Sequence, residues 1–246
     1  TRHQEANPLV DIVIVSVILV IAVILLKMLW QPFVRGDIDE QFPNYGRLLE
    51  AGFRRSGDMV YRPGCRDCHA CVPARIRVNG FRPNRSQRRT LKMNSDLVLR
   101  SRKSDLDERH LALYRDYLAS RHADGDMSAE SIVEMQRFLV SDWCESMLIE
   151  GWLDERLVLV AVTDVVDNAL SALYTFFDPR LPKRSLGTLA VLEQIAACRR
   201  LGFTHLYLGY WIENCRKMRY KSSFSSLETR HPDGYWQPFA QMKQQS

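Results

Sequence analysis

The segment "RLVLVAVTDVVDNALSALYTFFDP", residues 156–179, holds two apolar runs parted by the polar "DVVDN". Runs of this length around a polar break predict a strand, a turn and a second strand. "SLGTLAVLEQIAACRRLG" follows with helical apolar spacing and a stop at Gly202, and "FTHLYLGYWI" returns to strand composition. A strand, strand, helix, strand series leaves few architectures open, because each apolar face must be covered by a neighbouring layer.

The remaining chain reads as an ordinary globular protein: 246 residues, 46% hydrophobic and 26% charged, enough for one large or two modest domains. "NYGRLLEAGFRRSG" predicts a short helix ending near Ala51, with Gly52 as its stop and a turn at Ser56 and Gly57. Strand-like pieces follow at residues 59–62 and 74–78. Residues 106–120 carry helical spacing, and Ser128 is expected to cap a further helix bearing Ile132, Met135, Phe138, Leu139 and Trp143. The expected segments are an atypical apolar stretch (1–36), a cysteine-containing α+β domain (37–105), a helical connector (106–148) and a C-terminal domain (149–240). The C-terminal series matches the core of an acetyltransferase-like (GNAT-type) α/β unit. Acyltransferases of that type usually carry a glycine-rich turn before the helix, whose N–H groups cradle a pyrophosphate. Here only Gly187 remains, weak support for a coenzyme A site.

Residues 12–26 form an uncharged apolar run between Asp11 and Lys27. It is short for a membrane span, and reaches the roughly 20 residues a span needs only if Met28 to Trp30 are added. A span would leave the Lys- and Arg-rich remainder in the cytoplasm. The sequence opens on Thr, which reads as a fragment, a processed product or a gene-model junction. A membrane partner is expected only if this run is native.

Six cysteines, three clustered at Cys65, Cys68 and Cys71 and three single, do not form the framework of a secreted disulfide protein. The C-x2-C-x2-C loop supplies three thiolates where a closed zinc site takes four ligands, and His69 inside the loop is poorly placed to add the fourth. Zinc, an iron–sulfur cluster, reduced structural thiols and a redox-sensitive trigger stay open, with a structural loop favoured and no cofactor obligatory. Net charge is +5, but much of it is concentrated: Arg75, Arg77, Arg82, Arg85, Arg88, Arg89, Lys92, Arg100, Arg102 and Lys103 are interrupted only by Asp96. Such a run is either a solvated face or a polyanion-binding surface.

"GFRRSGDMVYRPGCRDCHACVPARIRV", "FRPNRSQRR", "SALYTFFDP", "SLGTLAVLEQI", "LYLGYWIENCRKMRYKSSF" and "HPDGYW" occur in this order and at these distances. Together they resemble the bacterial aspartate/glutamate leucyltransferases, which group with the arginyl-tRNA–protein transferases. The resemblance runs from about Tyr45 to Trp236. It implies a cytoplasmic enzyme that moves leucine from leucyl-tRNA onto proteins beginning with Asp or Glu, marking them for degradation by the N-end rule pathway. Two departures stand out. No cysteine precedes Cys65, so the family's fourth thiol is missing, and "SSFSSLE" replaces the family's Phe-x-Pro near the end.

That function sets chemical requirements. Phosphate contacts to an acceptor stem would fall to the basic segment, with Arg85, Gln87, Arg88 and Arg89 as candidates. An acidic N-terminal residue calls for a guanidinium or ammonium, for which Arg54, Arg55, Arg62, Lys217, Arg219 and Lys221 are available. Tyr207, Tyr210, Asn214 and Tyr220 are the expected catalytic group, orienting substrates or stacking on the terminal adenine. An α-amino nucleophile needs alignment and oxyanion donors more than a strong base, and no nucleophilic triad signature is present. Arginyl transfer, a coenzyme A-dependent acetyltransferase and a noncatalytic zinc-knuckle module that binds nucleic acid are the competing readings.

Overall fold

The computed structural model describes residues 45–121 and 131–245. The apolar run at 12–26 and the expected cap Ser128 lie outside the described residues. Among those described, no helix is long and apolar enough to cross a membrane.

The fold is mixed α/β, built on one large sheet. Helix α1 (Tyr45–Glu50) leads into a hairpin of β1 (Arg54–Ser56) and β2 (Met59–Tyr61). β3 (Val72–Arg77), α2 (Arg85–Met93) and β4 (Val98–Lys103) follow, then helices α3 (Glu108–Arg121) and α4 (Ile132–Leu139). β5 (Ser146–Leu153), β6 (Arg156–Val166), β7 (Ala169–Phe177), α5 (Leu186–Leu201) and β8 (His205–Trp211) form the C-terminal core. β9 (Leu227–Arg230), β10 (Trp236–Pro238) and α6 (Phe239–Gln245) close the chain. The eight-stranded sheet has the order β10-β9-β3-β8-β7-β6-β5-β4, so the cysteine-containing segment and the C-terminal segment share it.

Both faces of this sheet are covered, which is why β6 reads as a continuous apolar run and not as an alternation. Leu159 and Ala161 pack with α5, while Val160 and Val162 pack with α3 and α4. The expected strand–turn–strand is present, but the turn is tighter than "DVVDN". Asp164 to Val166 stay in β6, paired with Ser171 to Ala169, and only Asp167 and Asn168 turn. Gly202 ends α5 at φ 74°, its N–H returning to the Arg199 and Cys198 carbonyls. The helix after residue 130 is capped by Ser131, which accepts from the Glu134 N–H, and Trp143 lies beyond its end.

Pairing in the large sheet is antiparallel except between β7 and β8. Those two run parallel and stay paired only through Ser171 and Tyr207. Beyond that point their pairing ends, and among the described residues the edge of β7 facing β8 has no strand partner.

Candidate active site

A cavity of about 630 Å³ occupies the gap between the diverging strands. Its walls are residues 172–175 and Phe177 of β7, Leu208 of β8, and Gly187, Val191 and Gln194 on one stripe of α5. Lys217, Tyr220 and Lys221, from the turn after β8, also line it. α5 begins at this cleft, where Ser185 sits at φ 52° and makes no side-chain cap. Ser185, Leu186, Gly187 and Thr188 line the cleft, so the uncapped first turn of the helix borders it.

Arg54 explains why the strands separate. Its guanidinium donates to Ser171 Oγ at 2.8 Å and to the Ala172 carbonyl at 2.6 Å. On the other strand it lies against Gly209, at φ 76°, where an added Cβ would come within 3.4 Å of Arg54 Nε. The side chain thus acts as a wedge at the last β7–β8 pair, held by β7 and given room by a glycine of β8. It is buried, so it works beneath the cleft as a fixed positive charge.

Lys221 is the most perturbed cation of the site. It is 7% exposed, and Nζ donates to the Tyr210 carbonyl. Burial, followed by repulsion from Arg54, lowers its pKa to about 7. Tyr220 is exposed as a residue, but burial around its hydroxyl raises its pKa to about 12, so it stays protonated and can donate.

The other expected catalytic residues lie elsewhere. Tyr207 donates to Glu50 at 2.6 Å and accepts from Arg75 inside a packed network, with burial pushing its pKa up. Tyr210 donates to the Gly52 carbonyl at 2.9 Å, and burial raises its pKa too. Asn214 is exposed beyond β8 and lines neither this cleft nor the cavity described next.

Several expected substrate cations prove to be structural. Arg55 has a side chain with 0% exposure, saturated by Asp164, Ser146 Oγ and the Gly57 and Leu139 carbonyls, so no carboxylate can reach it. Arg75 is buried between Glu50 and Glu228, 4.2 Å over Trp236, and so leaves the basic surface. Gln87 is 2% exposed and forms a capping box with Asn84, its amide nitrogen reaching the Ser223 carbonyl. Arg85, Arg88, Arg89 and Lys92 do remain exposed on α2. That helix packs along α5, and its C-terminal cap residue Asn94 donates to the Arg184 carbonyl beside the cleft mouth.

A second cavity of about 660 Å³ is lined by Arg62, Cys65, Cys68, Cys71, Tyr210 and Arg230, among others. Tyr210 joins the two spaces: its side chain lines this one, while its carbonyl holds Lys221 in the first. Cys65 and Cys68 are exposed, Cys71 is half-buried, and all three thiols are free. Burial and the neighbouring Cys65 and Cys68 raise the Cys71 pKa. Among the described residues, no group of three or more His, Cys, Asp or Glu side chains is arranged to hold a metal ion.

Sequence comparison places these observations. The profile described as "Arginine-tRNA-protein transferase, N terminus" matches residues 31–89, and its C-terminal counterpart matches residues 109–231. A protein of Pseudomonas fluorescens (strain Pf0-1) named aspartate/glutamate leucyltransferase is 52% identical over 184 residues, 75% of this chain and 78% of that protein. One of the same name from Thiobacillus denitrificans is 50% identical over 193 residues, 78% of this chain and 80% of its own length. Among solved structures, FemX aligns at TM-score 0.43 and 9% identity, covering 82% of this chain and 69% of its own. L-PGS from Bacillus licheniformis aligns at TM-score 0.45 and 8% identity, covering 60% and 47%. With both profiles matched in order and half of the aligned residues shared with these relatives, the chain belongs to the arginine-tRNA–protein transferase family.

Proposed function

We propose that this enzyme transfers leucine from leucyl-tRNA to the α-amino group of proteins beginning with Asp or Glu, marking them for N-end-rule degradation. The observation that carries the reading is the 52% identity to a curated aspartate/glutamate leucyltransferase across three quarters of the chain. The diverging β7 and β8 supply the place, a cleft of the kind found in acetyltransferase-like folds, and cytoplasm is the compartment where charged tRNA and acceptor N-termini meet.

The acceptor stem lies along α2, with Arg85, Arg88 and Arg89 on its phosphates, and its last phosphodiester at the start of α5. The aminoacyl ester enters the cleft beneath Tyr220 and Lys217. The acidic N-terminal residue comes from the second cavity, its carboxylate facing Arg62 and Arg230, so the two substrates meet at Tyr210 and Lys221. The neutral α-amine attacks the ester carbonyl, and the oxyanion forms against the edge of β7 beyond its last pair with β8, in the field of Arg54. Lys221, partly neutral near pH 7, takes the proton from the attacking nitrogen. It then returns that proton to the departing ribose oxygen as the C–O bond breaks, leaving an amide and a free tRNA 3′ end.

Purified protein incubated with labelled leucyl-tRNA or arginyl-tRNA, and with peptides starting Asp, Glu, Arg or Ala, tests this. Leucine is expected on the Asp and Glu peptides alone. Acylation from acetyl-coenzyme A with none from tRNA would reject it.

A further inference from the structure

Gln194 is fully buried in α5 and lines the cleft. Its Nε2 donates to Thr163 Oγ1 at 2.8 Å. The Thr163 hydroxyl in turn gives its single proton to the Ala161 carbonyl at 3.3 Å, so it can only accept from the amide. In this amide orientation Gln194 Oε1 is a buried acceptor with no hydrogen-bond partner among the described residues. Buried acceptors of this kind are uncommon and are satisfied by a donor on a ligand or by an ordered water. Ala172, Val191 and Leu208 line the same cleft, together with Thr175 and Thr188. Gln194 stands eight positions into α5, about 12 Å along the axis from Leu186 at the mouth. The charged side chains of the wall, Lys217 and Lys221, belong with Tyr220 to the turn after β8 and not to this stripe.

We propose that the inner end of the cleft is the subsite for the transferred leucyl group, with Gln194 Oε1 accepting from its α-amino nitrogen and the isobutyl side chain packed on Val191, Leu208 and Ala172. The proposal rests on the donor reading above. A terminal adenosine would leave its ring nitrogens and hydroxyls unpaired among these aliphatic walls, whereas a leucyl group offers one N–H donor next to one branched apolar side chain. An arginyl group would bring a guanidinium against the aliphatic walls of Ala172, Val191 and Leu208, which sets the preference for leucine.

The test compares kcat/KM for tRNA charged with leucine, with 4-methylpentanoate (leucine without its amine), with alanine and with arginine. It uses the wild type, Gln194→Met and Val191→Phe, each checked for folding by thermal unfolding. The wild type is expected to prefer leucyl to 4-methylpentanoyl by about tenfold or more, the value of one hydrogen bond in a buried site. Gln194→Met should lose about that factor with leucyl and erase the discrimination. Val191→Phe should depress leucyl transfer more than alanyl transfer. Equal use of both six-carbon acyl groups by the wild type, or discrimination surviving in Gln194→Met, overturns the subsite. Transfer from no charged tRNA at all overturns the donor reading beneath it. Should Gln194→Met fail to fold, the wild-type comparison and Val191→Phe still decide.

Discussion

Lys221 and Arg55 show how far two cations of one chain can differ in task. Lys221 has a folded pKa lowered from 10.5 to about 7, so between those values the unfolded chain holds a proton that the folded chain lacks. Stability therefore rises with pH across that window. Relative to Lys221→Met, the wild type should gain stability between pH 7 and 10, by up to about 4 kcal/mol if the full shift is realised. Denaturant titrations at several pH values measure it. In catalysis, Lys221→Arg cannot deprotonate, and kcat should fall by about a hundredfold, a typical loss for a general base. Arg55 calls for a different measurement. Removing one partner of its fully buried pair, as in Asp164→Asn, should cost about 3–5 kcal/mol and lower Tm without any change in the residual enzyme's acceptor preference. Arg62→Ala should do the opposite, leaving Tm nearly unchanged while the preference for Asp over Ala peptides falls. A preserved preference would move the acidic-residue pocket away from the second cavity.

At the level of elements, the cleft depends on where β7 and β8 stop pairing, and that is only partly legible in the sequence. The β6, β7, α5, β8 series is readable because its apolar periods are long and its stops are clear. The turn at Asp167 and Asn168 is shorter than its polar surroundings suggest, since Asp164 looks like a turn residue until its partner Arg55 is seen 109 positions away. β4 is hidden for another reason. As an edge strand it is mostly exposed on both faces, so "VLRSRK" shows charge and no alternation. Arg54 and Arg55 read as substrate cations because sequence shows a charge and not the carbonyls and carboxylate that surround it. The wedge at Arg54 also carries an expectation. Gly209→Ala would put a Cβ 3.4 Å from the Arg54 guanidinium at a positive φ, and should reduce transfer while lowering stability by about 1 kcal/mol or more. For α2, replacing Arg85, Arg88 and Arg89 with Ala should raise the tRNA KM. It should also flatten the slope of log binding against log salt by about two to three, because each phosphate left without its arginine keeps its condensed counterion. An unchanged slope would return that helix to a solvated face.

Across the whole molecule, the sheet joins what sequence divides. β3, from the cysteine-containing segment, lies between β8 and β9, and so places the cysteine loop, Arg62 and Tyr210 beside the cleft between β7 and β8. Tyr210 lines the second cavity and its carbonyl accepts from Lys221 of the first, a layout suited to a reaction between two macromolecules that each present only an end. The claim on which the account rests is that the gap between β7 and β8 receives the aminoacyl end of the tRNA. tRNA charged with a diazirine analogue of leucine, photolysed on the intact protein and mapped by peptide mass spectrometry, tests it most directly. Adducts are predicted on residues 172–177 or 186–194, in competition with unmodified leucyl-tRNA. Adducts confined to residues 62–73 around the cysteine loop, equally competed, would put the donor in the other cavity and contradict the account.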